Sequence, residues 1–400
     1  LTLEAALAAA RAHPERRIAE AELEIARAER EQMDSRLDWS LSLDGSLAGG
    51  RRPGADWKPD NVARLVARKP LYDFGRTGNS LGAAGEEVTA RAALLTDADS
   101  AARLRVMARF FDVLLADLRY AADNEATEVA YFYWDTAQDR FETGQVGRPQ
   151  VLALEAAYQD ARERRGASES RMRTSRQALA NAMNQPESLT AELVPPRLGA
   201  GPAALPDAAT LKRFVEAGNP RLGALRAQIT ASEARLSALR AERLPVIEAE
   251  LVGAGYSREA VTRDDVRLGL AFSVPLYQGA RVDARIAREL AAKQRAQAQY
   301  EAARLELLQT LGDTLEEIDW LRNSAIPAAD KGIEARDWAL ERARAEYELE
   351  LKTNLGSAMA DTQNALLRRR TADYRLALAL ARLEALAGGS LPATQDSPAS

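Results

Sequence analysis

Four short segments of the chain alternate apolar and polar residues at every second position, which is typical of β-strands with two unlike faces. In the clearest segment, Leu37–Leu47, Leu and Trp occupy odd positions while Asp and Ser occupy even positions. The four segments form two predicted hairpins that lie about 205 residues apart. The predicted strands are Leu37–Leu47, Val62–Tyr72, Pro245–Gly255 and Val266–Tyr277.

Nearly all of the remaining chain has the apolar spacing of long α-helices. From Pro220 onward, apolar positions recur at steps of three and four, the heptad pattern of helices that pack side by side. This seam consists of Leu222, Leu225, Ile229, Ser232, Leu236 and Leu239. Alanine fills much of the other helical surface. Because Pro327 interrupts the helical run of the second half, we expect a kink or two stacked helices there.

The chain is predicted to be an internal duplication. Three pairs of landmarks lie 205 or 206 residues apart, namely His13-Pro14 with Asn219-Pro220, Pro70 with Pro275, and Phe141 with Tyr347. Each half then has the order helix, strand, strand, long helix, turn, long helix. We predict a first repeat over residues 1–184, a proline-rich linker over 185–210, a second repeat over 211–389 and a loose tail over 390–400.

The composition argues against several classes of protein. A net charge of −5, with Lys and Arg interleaved among acidic residues, argues against nucleic-acid binding. The chain has no cysteine and a single histidine, His13, so disulfides, histidine-rich metal sites and catalytic triads are hard to build. We therefore predict no catalytic residues, no metal and no cofactor. No apolar run approaches the roughly 18 residues of a spanning helix.

The alternating strands leave two interpretations open. Soluble antiparallel sheets also alternate, so the hairpins could form a small sheet packed on the helices of a soluble coiled-coil scaffold. Membrane strands are favoured by the duplication of the hairpins and by the polar segments 48–61 and 256–265 that connect their strands. Such strands need about 9–11 residues to cross a bilayer. Open edges are not tolerated in lipid, so four strands predict closure by other copies of the chain.

The order of these features resembles the TolC-type outer-membrane efflux protein family. The resemblance runs from Leu1 to Gly389, and it rests on the duplication, on two Pro-Leu-Tyr strand ends, and on Arg140–Gly144 leading into Val151–Ala156. It implies a mainly α fold with a small β part, in which a homotrimer forms a 12-stranded transmembrane β-barrel that continues into an α-helical periplasmic tunnel.

The resemblance also implies a function and partners. The chain would be the outer-membrane channel of a tripartite export system in a Gram-negative bacterium, with most of its residues in the periplasm. Its partners would be a periplasmic adaptor protein, an inner-membrane pump and outer-membrane lipid, with no nucleic acid. The family exports drugs, metal ions and polypeptides, and the sequence does not indicate which of these is the cargo.

Two turns, Gly144–Pro149 and Glu350–Leu355, would lie at the periplasmic tip, where adaptor contacts and a gate are expected. Members of the family carry aspartates at the start of each returning helix. In this chain Gln150 replaces the first of these, and Gly356 and Met359 replace two more, so we expect no tight acidic ring. The predicted tip residues are Arg140, Gly144, Gly147, Gln150, Lys352, Thr353, Gly356 and Met359. The predicted strand-to-helix switches are Pro70, Gly75, Pro275 and Gly279.

Overall fold

The computed structural model describes residues 1–51, 54, 56–187, 192–199, 205–257, 264–349, 355–389 and 391. The helices are α1 (Leu3–Ala9), α2 (Pro14–Asp34), α3 (Arg76–Glu142), α4 (Arg148–Ala182), α5 (Ala208–Gly218), α6 (Pro220–Ala241), α7 (Arg281–Trp320), α8 (Ile326–Glu348) and α9 (Leu355–Leu386). The strands are β1 (Ser40–Ser46), β2 (Gly49–Gly50), β3 (Lys58–Pro59), β4 (Val62–Tyr72), β5 (Val246–Tyr256) and β6 (Val266–Ser273). Of the helices described, none has both the length and the apolar content of a membrane-spanning segment.

The two halves of the chain have the same order of elements. In the first half α2 is followed by β1, β4, α3 and α4, and in the second half α6 is followed by β5, β6, α7 with α8, and α9. The proline landmarks coincide with helix starts, since α2 begins at Pro14 and α6 begins at Pro220. Proline is favoured at the first helical position because that residue has no intrahelical partner for an N–H. The exact limits of the two repeats and of the linker stay predictions.

The strand ends differ from the sequence prediction at three of the four strands. Val62–Tyr72 has the predicted limits, and β5 is displaced by one residue. The predicted start of the first strand at Leu37 is wrong, because Ser35–Leu37 form a 3-10 turn that continues α2. The predicted end of the last strand at Tyr277 is also wrong, since β6 stops two residues before Pro275, which cannot donate to a strand ladder.

The chain folds into two compact units that cut across the sequence repeats. The first unit comprises Leu1–Ile18, Thr96–Asn219 and Leu305–Ser400, and the second comprises Ala19–Leu95 and Pro220–Arg304. The core of the first unit is built around Phe110 and Leu179, both fully buried, and Phe111 stacks on Tyr374 with ring centroids 4.5 Å apart.

Alanine dominates helix packing in the second unit. Ala90 of α3 packs against Ala224 and Ala227 of α6, and all three are buried. Small side chains at this contact let the helix backbones approach closely. The predicted heptad seam is also turned inward, since Leu222, Ser232 and Leu236 are buried. Alanine residues and heptad residues of α6 are therefore both buried, so two sides of this helix take part in packing.

The expected break near Pro327 is present, and it begins before the proline. Residues Leu321–Ala325 form a π-helical turn between α7 and α8. Pro327 then lies in the first turn of α8, a position at which proline is tolerated. The wider π turn accommodates the proline without ending the helical run. The corresponding part of the first repeat lies within the uninterrupted helix α3.

Candidate functional site

A four-stranded antiparallel sheet in the order β1-β4-β5-β6 joins the two predicted hairpins. β4 and β5 pair along their length and link the repeats. The register aligns one row of apolar residues across all four strands, namely Leu41, Ala67, Leu251 and Leu268. The next row contains Ser40, Arg68, Glu250 and Gly269. We call the side of the sheet that carries the first row the apolar face. It includes every second residue along each strand, counted from that row. The opposite side is the polar face.

The apolar face is exposed. The exposed fraction is 75% for Leu43 of β1, 75% for Leu268 and 76% for Phe272 of β6. These side chains are therefore not packed under helices. The alternative prediction of a soluble sheet that buries its leucines against the helices is wrong. An exposed apolar surface of this kind marks a site of contact with lipid or another protein.

Charged residues on the polar face bind one another across strands. The Glu250 carboxylate on β5 accepts hydrogen bonds from Arg68 Nε on β4 at 2.9 Å and from Arg267 Nη2 on β6 at 3.1 Å. This cluster ties three strands together. The sequence did not reveal it, because it depends on the register between residues that lie 182 positions apart in the chain.

Of the predicted strand-to-helix switch residues, Gly75 directly precedes α3 and Gly279 lies two residues before α7. Gly75 has a φ of +83° and Gly279 a φ of +61°, in the left-handed region that favours glycine. Asp73 stabilises the turn at Gly75, because its carboxylate accepts hydrogen bonds from the backbone N–H groups of Gly75 at 3.1 Å and Thr77 at 2.7 Å. Pro70 lies at a shift in the β4–β5 register. Pro275 follows the end of β6.

The first predicted tip turn is a helix end followed closely by a helix start. Gly144 has a φ of +74°, and its N–H bonds to the carbonyl of Phe141 at 3.0 Å. The N–H of Gln145 bonds to the carbonyl of Arg140 at 2.7 Å, which completes a Schellman motif at the end of α3. Gly147 caps the start of α4 and accepts from Gln150 N–H at 3.0 Å. The side chains of Arg140 and Gln150 are exposed.

The second group of predicted tip residues lies at the start of α9. A Cβ added at Gly356 would stand 2.6 Å from Val129 Cγ2 of α3, so this glycine permits a close approach of the two helices. Met359, one turn later, is 39% exposed. Since Val129 precedes Arg140 by eleven residues, about 16 Å along α3, the structure does not bring Gly356 to the first turn. The predicted residues Lys352 and Thr353 lie outside the described residues.

Asp361, two residues after Met359, forms an ion pair with an arginine of α8. Asp361 accepts a hydrogen bond from Arg336 Nη1 of α8 at 2.7 Å, and about half of each side chain is exposed. Among the residues that the structure describes, no group of three or more His, Asp or Glu side chains is placed to hold a metal ion.

The aromatic run in α3 packs between helices. Trp134 stacks on Tyr158 of α4 with ring centroids 5.3 Å apart, and Tyr131 lies edge-on to both rings. The carboxylate of Asp135 raises the pKa of Tyr131 above its ordinary value. These ring contacts pack α3 against α4. They define no ligand stack among the described residues.

A comparison with protein families connects this geometry to known proteins. Residues 214–389 match the family described as outer membrane efflux protein, which covers the predicted second repeat. A comparison with curated proteins found no match.

Solved structures match nearly the whole chain. The outer membrane protein VceC from Vibrio cholerae is 19% identical, with a TM-score of 0.77 over 97% of this chain and 96% of that one. The CmeC outer membrane channel of Campylobacter jejuni is 16% identical, with a TM-score of 0.78 over 98% and 87% of the two chains. The open-state MtrE outer membrane channel of Neisseria gonorrhoeae is 20% identical, with a TM-score of 0.74 over 97% and 89%. At these identities the likeness shows a shared fold.

Proposed function

We propose that this chain, whose residues 214–389 match the outer membrane efflux protein family and whose fold is that of solved outer-membrane channels, is an export channel subunit. The channel lies in the outer membrane of a Gram-negative bacterium and conducts its substrates passively. This agrees with the family resemblance found in the sequence. The exposed apolar face of the four-stranded sheet is the structural observation that supports the proposal most directly.

The membrane wall is the sheet itself. Leucines and a phenylalanine dominate the apolar face, which suits lipid. The polar face carries all the Ser, Arg and Glu side chains of the four strands beside valines such as Val66 and Val252, and it suits water. β4 and β5 have 11 residues each, which is the length that a tilted strand needs to cross a bilayer. The Glu250 cluster with Arg68 and Arg267 then faces the aqueous lumen, where its charges stay hydrated.

Closure of the wall requires further copies. Among the strands that the structure describes, β1 and β6 each have a strand partner on one side only. Strand direction alternates across the four strands, so β6 of one copy can continue the antiparallel order by pairing with β1 of the next. Three copies supply twelve strands around a lumen, whereas two supply eight strands, which side chains fill. We therefore favour a homotrimer with a 12-stranded barrel.

The helices continue the duct away from the membrane. A periplasmic adaptor and an inner-membrane pump are the partner classes that membership of this family supports, and the pump would supply the energy. We place the gate at the helix turns around Gly144 and the start of α9, where helix pairs would coil inward when closed and splay when an adaptor docks. Such a gate needs two packings of similar free energy.

Cysteine cross-linking tests whether β6 of one copy pairs with β1 of the next. Because the chain has no cysteine, only the introduced cysteines can form disulfides. Ser42 on β1 and Ala271 on β6 lie on the polar face at opposite edges of the sheet. A chain with S42C and A271C should give dimer and trimer bands after mild oxidation in membranes, and neighbouring pairs can be scanned for register. The V66C/V252C pair, which is adjacent within one chain, should give no such ladder. A chain that purifies without detergent and forms no ladder with any edge pair would refute the proposal.

A further inference from the structure

Lys69 is the only charged residue on the apolar face of the described strands. In the register it stands opposite Ala249, which is itself opposite Leu270, so its row is otherwise apolar. Trp39 directly precedes β1, and Lys69 directly follows Arg68, the register partner of Ser40. A charge on a surface that faces lipid is costly at the bilayer centre and tolerated near its edge. The presence of Lys69 therefore indicates which part of the sheet lies near the edge of the bilayer.

The side chain of Lys69 is held at this level by Trp39. Lys69 Nζ lies 5.9 Å from the centre of the Trp39 ring, within the range of a cation–π contact. Trp39 is 57% exposed, and Tyr72, three residues beyond Lys69, is 56% exposed. Aromatic residues of this kind occupy the interface between hydrocarbon and headgroups. No carboxylate among the described residues pairs with the Lys69 ammonium.

The position of Lys69 along the strand agrees with this interface. It lies three residues before the end of β4, about 10 Å from the end of the sheet that leads into the helices. A lysine side chain can extend from there to the headgroup layer while its methylene stem stays in hydrocarbon. The repeat-equivalent position in the second hairpin is Val274, so only the first hairpin carries this charge.

We propose that Lys69 and Trp39 form a binding site for the headgroup of an anionic phospholipid on the periplasm-facing side of the outer membrane. The inference rests on the proposed membrane position of the sheet. The ammonium donates hydrogen bonds to the lipid phosphate, and the indole ring fixes the depth of the ammonium. Anionic lipid is favoured because the apolar face offers Lys69 no negative partner of its own. A closed trimer would carry three such sites at one level of the bilayer.

Fluorescence quenching by brominated lipids tests the site. The full-length protein is reconstituted in vesicles of dioleoylphosphatidylcholine that contain either brominated phosphatidylglycerol or brominated phosphatidylcholine. The emission of Trp39 is the difference between each protein and its W39F version, which removes the contribution of the other tryptophans. From the quenching of Trp39 in the parent protein, we expect the site to bind brominated phosphatidylglycerol with about fivefold the affinity that it has for brominated phosphatidylcholine.

Substitutions at Lys69 separate the site from general lipid contact. K69M should abolish the preference for phosphatidylglycerol, and K69R should retain it. K58M changes a lysine of β3 outside the four-stranded sheet and should leave the preference intact. Circular dichroism of each variant checks that it is folded.

The outcomes distinguish this inference from the proposed function. Equal quenching of Trp39 by both lipids, unchanged in K69M, would overturn the headgroup site and leave the channel proposal standing. If no brominated lipid quenches Trp39 at all, the sheet does not face lipid and both proposals fail.

Discussion

At the scale of single residues, glycines decide how closely the helices of this chain can approach. Gly356 is the clearest case, because the space for its Cβ is occupied by Val129 Cγ2. Gly144 has a different role, since its positive φ ends α3 in a Schellman motif. The need for Gly144 could be predicted from a local turn sequence. The need for Gly356 could not, because its neighbour lies 227 positions earlier in the chain.

Substitution of Gly356 by alanine should destabilise the helical unit by about 1–3 kcal/mol, since a β-branched valine has few rotamers with which to move away. Thermal or denaturant unfolding of the purified protein, followed by circular dichroism, measures the change.

As a control, the same substitution is made in a V129A variant, which lacks the valine methyl groups that would clash with a Cβ at position 356. In that background Gly356→Ala should be neutral or stabilising by up to about 1 kcal/mol, because alanine is the better helix former. An equal loss of stability in both backgrounds would show that the contact with Val129 is not the cause.

At the scale of elements, the two faces of each strand were more predictable than the limits and the pairing of the strands. Alternation fixes which residues share a face, so the apolar and polar sides of β1 and β6 followed from the sequence alone. The pairing of β4 with β5 did not, because nothing local links two strands from different repeats. That pairing creates the Glu250 cluster and aligns the apolar rows of both hairpins into one surface.

Adjacent positions of β6 should respond oppositely to the same charge. Leu268 lies on the apolar face in the row that crosses the middle of β4 and β5, and Gly269 lies on the polar face. Leu268→Arg should block membrane assembly, because an arginine that faces lipid costs roughly 2–4 kcal/mol per site near the bilayer centre. Gly269→Arg should be tolerated, since its charge would face water. The amount of heat-labile oligomer in outer-membrane fractions measures the assembly of each variant. Equal amounts for the two variants would contradict the assignment of the faces.

At the scale of the whole molecule, a single chain leaves its own sheet incomplete. Both outer strands have a free edge in the sheet order, and the apolar face is uncovered. Natural proteins avoid long exposed edges because they promote association. The two features together favour an assembly in which neighbouring copies satisfy the edges and lipid covers the face.

The assembled particle in detergent should therefore have a protein mass three times the 43.5 kDa of one chain. Sedimentation or light scattering, corrected for bound detergent, measures this mass. A monomer would leave both edges unpaired, and a dimer would close only eight strands. Either result would exclude the 12-stranded barrel while leaving the fold of the single chain unaffected.

The sequence by itself determined the class of elements, their duplicated order and the two faces of each strand, because helix and strand periodicities are local properties of the chain. It also singled out Gly75 and Gly279, whose left-handed backbone conformations are set within a few residues. Only the tertiary structure decided that the two hairpins form one sheet, that Glu250 binds two arginines, and that Gly356 touches Val129. These facts depend on contacts between residues far apart in the chain, and such contacts are set by packing and register that no local pattern encodes.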